Sequence, residues 1–272
     1  MRTSFVCFVL FLNAAYAQLQ SGTIVVFQLT PQKFVIAADS RAAFESKPPE
    51  DTHCKIGGFK SNKVVIGVTA AAAYPSAGRG DLLPSWSAIS EVEKALSLVD
   101  PKTADDASQY VTDLARAWSA NLVADWTQSY WVHPELVVRA AKANNGTLTN
   151  GILAAARRGR IAIAFRTIAY RDGKIQVEVP SPLPDCQVAP CASGETAVFD
   201  KYIHSRDDYV DAPQSVTGSF GYELLRAVRL VDLTIAYDKT GAVHGPIDAL
   251  EMTTDGSITW KNRKQNCPES SD

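Results

Sequence analysis

Two short runs rich in β-branched and aromatic residues, 23–29 and 34–39, flank Thr30-Pro31-Gln32, a pattern that predicts a hairpin. Lys63 to Thr69 predicts another strand, followed by the small-residue run Ala70 to Ala73. Residues 74–104 carry Pro75, Pro84 and Pro101 and read as a loop-rich insertion with a short helix near Ser90 to Leu98. From Asp105 to Trp126, the residues Ala107, Val111, Leu114, Trp118 and Leu122 recur at helical spacing on one face. Asp105 and Asp106 suit the positive end of that helix, and Trp118 and Trp126 belong to core or interface.

Gly151 to Ala156 and Ile161 to Tyr170 predict two strands, and Arg171-Asp172-Gly173 turns the chain into a third, Lys174 to Val179. After a Pro/Cys loop over 180–192, Thr196 to Ile203 reads as helical. Glu223 to Tyr237 is a second clear helix, with Leu224, Val228, Val231 and Ile235 on one face. Ile247 to Thr253 and Ser257 to Lys261 form a closing hairpin across Asp255-Gly256. Asn262 to Asp272 is polar and reads as a flexible tail. Strands, helix, strands, helices, strands predict an α+β domain of antiparallel sheets with helices outside.

Composition changes this picture at the N-terminus. Arg2, the apolar stretch Phe5 to Leu12 and Ala15-Tyr16-Ala17 have the three parts of a secretory signal peptide, 1–17, cleaved after Ala17. The expected location is therefore secreted or periplasmic, with no membrane association after signal removal. A formal net charge of -2 over 272 residues gives no reason to expect a nucleic-acid partner. Cys7 leaves with the signal, and the four remaining cysteines permit two disulfides. Cys186 and Cys191 are close and bracket a proline-containing loop, so they are expected to pair; Cys54 with Cys267 follows by elimination. The histidines are scattered, and neither a metal nor a cofactor is expected. Asn145-Gly146-Thr147 is a glycosylation sequon, a short pattern that is common by chance.

No G-x-S-x-G elbow, H-E-x-x-H, phosphate loop or dinucleotide fingerprint occurs. What remains is an arrangement near the start of the mature chain. Gly22-Thr23 opens a strand, Ala37-Ala38-Asp39-Ser40-Arg41 closes the next, and Lys55-Ile56 follows. Asp39 lies 16 positions after Thr23, and Lys55 another 16 after Asp39. Singly, each has an ordinary role: Thr23 as a strand residue, Asp39 as a turn cap, Lys55 as a solvated lysine.

Together they resemble the β-type subunits of the proteasome and their N-terminal-nucleophile hydrolase relatives. The resemblance covers roughly residues 22–73 and 150–261, including Ala192-Ser193-Gly194, the helix from Leu224 to Asp238, and the final hairpin. It implies a four-layer αββα sandwich in a single domain, 23–261, preceded by a propeptide, 18–22. It implies autocleavage after Gly22, Thr23 as nucleophile, Asp39 and Lys55 beside it, Ser193 and Asp238 as supports of the N-terminal amine, and the Ala71 amide as oxyanion donor. The implied reaction is cleavage of a peptide or amide substrate through an acyl-enzyme, and the implied assembly is a homo-oligomer. Two other roles stay open: a non-catalytic binding or assembly subunit, and an amidase of small molecules. The chain departs from the family in having Ala71 where glycine is usual. It also lacks a serine shortly after Asp238, where Thr240 is the substitute on offer. Ser21 is a rival nucleophile, but it would require two extra residues in the first hairpin.

The residue types suit the chemistry. A threonine hydroxyl is a weak nucleophile without a base. An N-terminal threonine supplies its own, an α-amine with an ordinary pKa of about 7.7–8.0. A neighbouring ammonium favours the alkoxide and lowers the amine pKa further.

Overall fold

The computed structural model describes residues 19–20, 23–44, 47–51, 53–71, 73–74, 86–100, 106–180, 186–187, 189–194, 196–203, 221–239, 241–265 and 267. The signal peptide, Ser21, Gly22 and Thr240 lie outside the described residues.

The chain opens with strands Leu19–Gln20 (β1), Ile24–Leu29 (β2), Lys33–Ala38 (β3), Ala42–Phe44 (β4) and Lys47–Glu50 (β5). Ile56–Phe59 (β6), Val64–Ala70 (β7), Ala73–Tyr74 (β8) and Trp86–Ser87 (β9) precede helices Ser90–Leu98 (α1), Ala107–Val132 (α2) and Pro134–Ala143 (α3). Three antiparallel strands follow, the long Thr147–Arg157 (β10) and Arg160–Arg171 (β11) and the shorter Lys174–Glu178 (β12). Cys191–Gly194 (β13), Ala197–Ile203 (α4), Tyr222–Tyr237 (α5), Asp248–Thr253 (β14) and Ile258–Asn262 (β15) complete the order.

Local chemistry accounts for several boundaries. The turns joining β10 to β11 and β11 to β12 have positive φ at both central residues, 47° and 73° at Arg158-Gly159 and 49° and 79° at Asp172-Gly173. That backbone matches the right-handed twist of a hairpin. Helix α2 starts where the Asp106 carboxylate accepts the Gln109 N–H at 2.8 Å. It runs six residues beyond the predicted end at Trp126, and α3 after it was not predicted. The reason is exposure: Trp131 is 81% and Val132 43% exposed, so the apolar period is lost there. Pro134 then occupies the first turn of α3, where its missing N–H costs nothing. Two strands of the main sheets were also not predicted: β6, whose two glycines weaken its strand signal, and β13, which begins inside the segment read as a Pro/Cys loop.

Two five-stranded antiparallel sheets dominate, in the orders β12-β11-β10-β7-β6 and β13-β2-β3-β14-β15. One apolar cluster joins residues of both sheets, including Val25, Phe27 and Ile36 with Val65, Ile152 and Phe165. A second packs the first sheet against α1, α2 and α3, and a third packs the second sheet against α4 and α5. Trp118 packs against the first sheet at Gly151, where a Cβ would sit 2.1 Å from the indole. Its N–H donates to Ala88 O at 2.7 Å, and that of Trp126 to Thr149 Oγ1 at 3.0 Å, so both rings are buried without an orphaned donor.

Both expected disulfides form, Cys54–Cys267 and Cys186–Cys191. The expectation of a loose tail fails for its first residues. Cys267 is 1% exposed, and Lys264 is tied to Asp248 and to His53 O. Among the described residues no helix is long and apolar enough to cross a membrane.

Candidate active site

Thr23 directly precedes β2 and is 2% exposed. β2 pairs with β13 on one side and β3 on the other, which brings Gly194 opposite Ile24, and Ala38 opposite Val25. Gly194 has φ +97° and approaches so closely that a Cβ would stand 1.8 Å from Thr23 O, so glycine is required there.

The hairpin also places Asp39. Its Oδ1 accepts the Ile24 N–H at 3.0 Å, and its Oδ2 accepts those of Arg41 at 3.2 Å and His244 at 3.4 Å. Lys55 arrives from the other sheet. It stands just before β6, its carbonyl accepts the Val68 N–H at 2.8 Å, and its Nζ donates to Thr23 Oγ1 at 2.7 Å. The two equal spacings in the sequence thus converge on one point. A buried ammonium addresses the threonine hydroxyl, and a buried carboxylate holds the next backbone amide.

Asp39 and Lys55 interact through charge without an ion pair at contact distance. Burial pushes the Asp39 carboxyl up to about 6, against the opposing charge of Lys55 and the three backbone donors. Burial likewise pulls the Lys55 amine down; the charge of Asp39 opposes this and the cation of Lys264 adds to it. A lysine so placed stabilises negative charge developing on a hydroxyl and yields a proton more readily than an exposed one.

The remaining sequence candidates lie around this centre. Ser193 Oγ is 2.9 Å from Thr69 Oγ1, and Thr69 and Gly194 line a cavity of about 330 Å³ shared with Thr23, Ala70, Asn144 and Asn150. Asp238 caps α5 and accepts the Val243 N–H at 2.7 Å, in the loop whose His244 N–H reaches Asp39. It is linked to the centre through that loop. Gly22 lies outside the described residues.

Ala71 requires a correction. Its N–H donates to Leu148 O at 3.0 Å, and its carbonyl accepts the Thr149 hydroxyl at 2.7 Å. An amide held in this way is not available to an oxyanion. The neighbouring Ala70 is the unusual residue, with φ +61° in a non-glycine at the end of β7.

Sequence reasoning missed two clusters behind the site. Arg41 forks onto Asp51 with bonds of 2.7 Å and 3.1 Å, and His244 Nδ1 lies 3.3 Å from the same carboxylate. The buried Asp248 pairs with the partly buried Lys264. Arg41 was visible in the motif after Asp39, but nothing near Lys264 marks it in the sequence. Among the described residues no group of three or more His, Cys, Asp or Glu side chains is placed to hold a metal ion.

No protein-family model matches the chain, and no curated protein matches it. Among solved structures, the chain is similar to an Anbu (Gly-1) mutant from Hyphomicrobium sp. strain MC1, with 17% identity over 90% of this chain and 88% of that one and a TM-score of 0.46.

Proposed function

We propose that the chain is an exported N-terminal-nucleophile hydrolase of the threonine type, cleaving peptide or other amide bonds through an acyl-enzyme on Thr23. The observation that carries this reading is the buried bond from Lys55 Nζ to Thr23 Oγ1, 2.7 Å long, with Asp39 on the adjoining amide. In this reading residues 1–17 are a signal, 18–22 a propeptide, and 23–261 one domain in which two sheets and two helical layers form an αββα sandwich. Cleavage after Gly22 frees the Thr23 amine, which then takes the hydroxyl proton as the oxygen attacks the substrate carbonyl. Lys55 stabilises the developing alkoxide, and Asp39 keeps Lys55 charged. Ser193 and Asp238 support the amine from the β13 and α5 sides.

A second reading, a non-catalytic binding or assembly subunit, draws on the engaged Ala71 amide, which leaves the oxyanion donor unassigned. N-terminal sequencing of purified mature protein separates the two. A hydrolase starts at Thr23, and Thr23→Ala stays folded and uncut at Gly22. A wild-type chain that starts at Gln18, or a processed Thr23→Ala, would refute the autocatalytic reading.

A further inference from the structure

Lys55 immediately precedes β6, the outermost strand of its sheet. On one side β7 holds it, through the register Ile56 opposite Gly67 and the bond from Val68 N to Lys55 O. Among the described residues its other side has no ladder partner. Here the C-terminal segment comes in. Cys267 is disulfide-bonded to Cys54, the residue before Lys55. Lys264 reaches one residue further back, its Nζ donating to His53 O at 2.8 Å. The same ammonium contacts Asp248, and the Lys264 N–H donates to Asp248 Oδ1 at 3.0 Å. Asp248 is 1% exposed and opens β14 opposite Ala38, the neighbour of Asp39.

We propose that this segment is a positioning clasp for Lys55, with Lys264 and the Cys54–Cys267 disulfide as its two ties. The inference rests on the hydrolase reading of Thr23. The two residues before Lys55 are fixed, one by a covalent bond and one by a charge-assisted hydrogen bond, to the segment after β15, which Asp248 ties to the strand paired with β3. Lys264 and Cys267 touch neither Thr23 nor its cavity; they act by holding the backbone from which the Lys55 side chain reaches the hydroxyl. A displacement of about 1 Å at a reacting group lowers a rate by about 100-fold, so a tie at this point governs chemistry as well as stability.

The test is the first-order conversion of purified chain 18–272 to the Thr23 form, followed by intact mass, together with acetic anhydride labelling of Lys55 read by peptide mass. Cys54→Ser/Cys267→Ser and Lys264→Met are the clasp variants. Lys264→Met combined with Asp248→Asn removes both charges, in case the single change leaves Asp248 unpaired and the chain unfolded. Leu114→Ala, in the cluster under α2, is the control for lost stability alone. The clasp variants are expected to convert at least about tenfold more slowly and to expose Lys55 to label, while Lys264→Arg stays within about threefold of wild type. Leu114→Ala is expected to convert at the wild-type rate with Lys55 protected. Clasp variants that convert and shield Lys55 like wild type would overturn the proposal, as would a Leu114→Ala that slows and exposes Lys55 equally. If the wild-type chain never converts, the hydrolase reading fails. The labelling of Lys55 then still decides whether the segment holds it.

Discussion

Two lysines whose charges feel each other are withdrawn from solvent in different ways, Lys55 fully and Lys264 in part. Lys264 contacts Asp248 and donates to His53 O at 2.8 Å, so its charge is matched where it sits. Lys55 is 3% exposed, and its ammonium donates to a neutral hydroxyl, Thr23 Oγ1. Burial pulls both amines down. Against it Lys264 has a carboxylate in contact, whereas Lys55 has only the charge of Asp39 at a distance. A matched pair is how a fold tolerates a buried charge. A buried cation aimed at a hydroxyl serves the fold poorly and chemistry well, which is why such groups concentrate at functional sites.

Replacing each lysine with methionine sharpens the contrast most. Lys55→Met is expected to slow conversion at Gly22-Thr23 by about 100- to 1000-fold, the usual scale for losing one preorganised electrostatic contact. Lys264→Met is expected to cost about 3–5 kcal/mol in stability, because it strands Asp248 without its partner. For Lys55→Met the expected stability loss is less than half of that. Urea unfolding and intact mass measure both quantities. The comparison breaks if Lys55→Met unfolds as readily as Lys264→Met while converting normally.

The pH dependence gives a smaller effect. In the proposed hydrolase Lys55 would act as a cation only while Asp39 is ionised beside it, and burial holds that carboxyl at about 6. Conversion of the uncut chain, which has no Thr23 amine to titrate, should therefore rise about tenfold per pH unit and level off near pH 6. Stability runs the other way. The unfolded chain releases the Asp39 proton near the ordinary 3.8 and the folded chain near 6. Between those values the folded state holds the extra proton, so rising pH removes about 3 kcal/mol of stability. Asp39→Asn is expected to abolish the activity slope and to remove only its own share of the stability slope. Asp125 also titrates near 6, raised by burial and by Glu91. Asp125→Asn is therefore the control, and the activity limb must survive it.

The same contrast explains how much was legible in advance. The convergence of Thr23, Asp39 and Lys55 was readable because each sits at the end or start of a strand with fixed separations. The helices α1 and α5 and the closing hairpin were readable from periodicity and from Asp255-Gly256. Lys264 and Asp248 were not, because a pair made by two strands' ends leaves no periodic trace, and a polar C-terminus looks solvated whether or not it is. Ala71 failed for a related reason. Position along the chain gives no information about which carbonyl an amide will face, and Leu148 reaches it from a strand 77 positions later.

Strain is the last and smallest difference between the two surroundings. Five described non-glycine residues have positive φ, and Lys63, Asn145, Arg158 and Asp172 are in turns. Ala70, at +61°, instead ends a strand at the cavity that contains Thr23. A left-handed alanine costs about 1–2 kcal/mol relative to its relaxed backbone. Glycine would remove that cost but give back about 0.4–1 kcal/mol through the freedom of its unfolded chain. Ala70→Gly is therefore expected to raise stability by up to about 1.5 kcal/mol, measured by the urea midpoint at unchanged slope. If the strain holds the β7 end in place beside Thr23, conversion should slow in the stabilised variant, because a relaxed backbone samples other positions. A variant that is less stable than wild type would mean that the β7 end is held without strain. The costly features of the site would then reduce to its buried ionisable groups, Lys55 and Asp39.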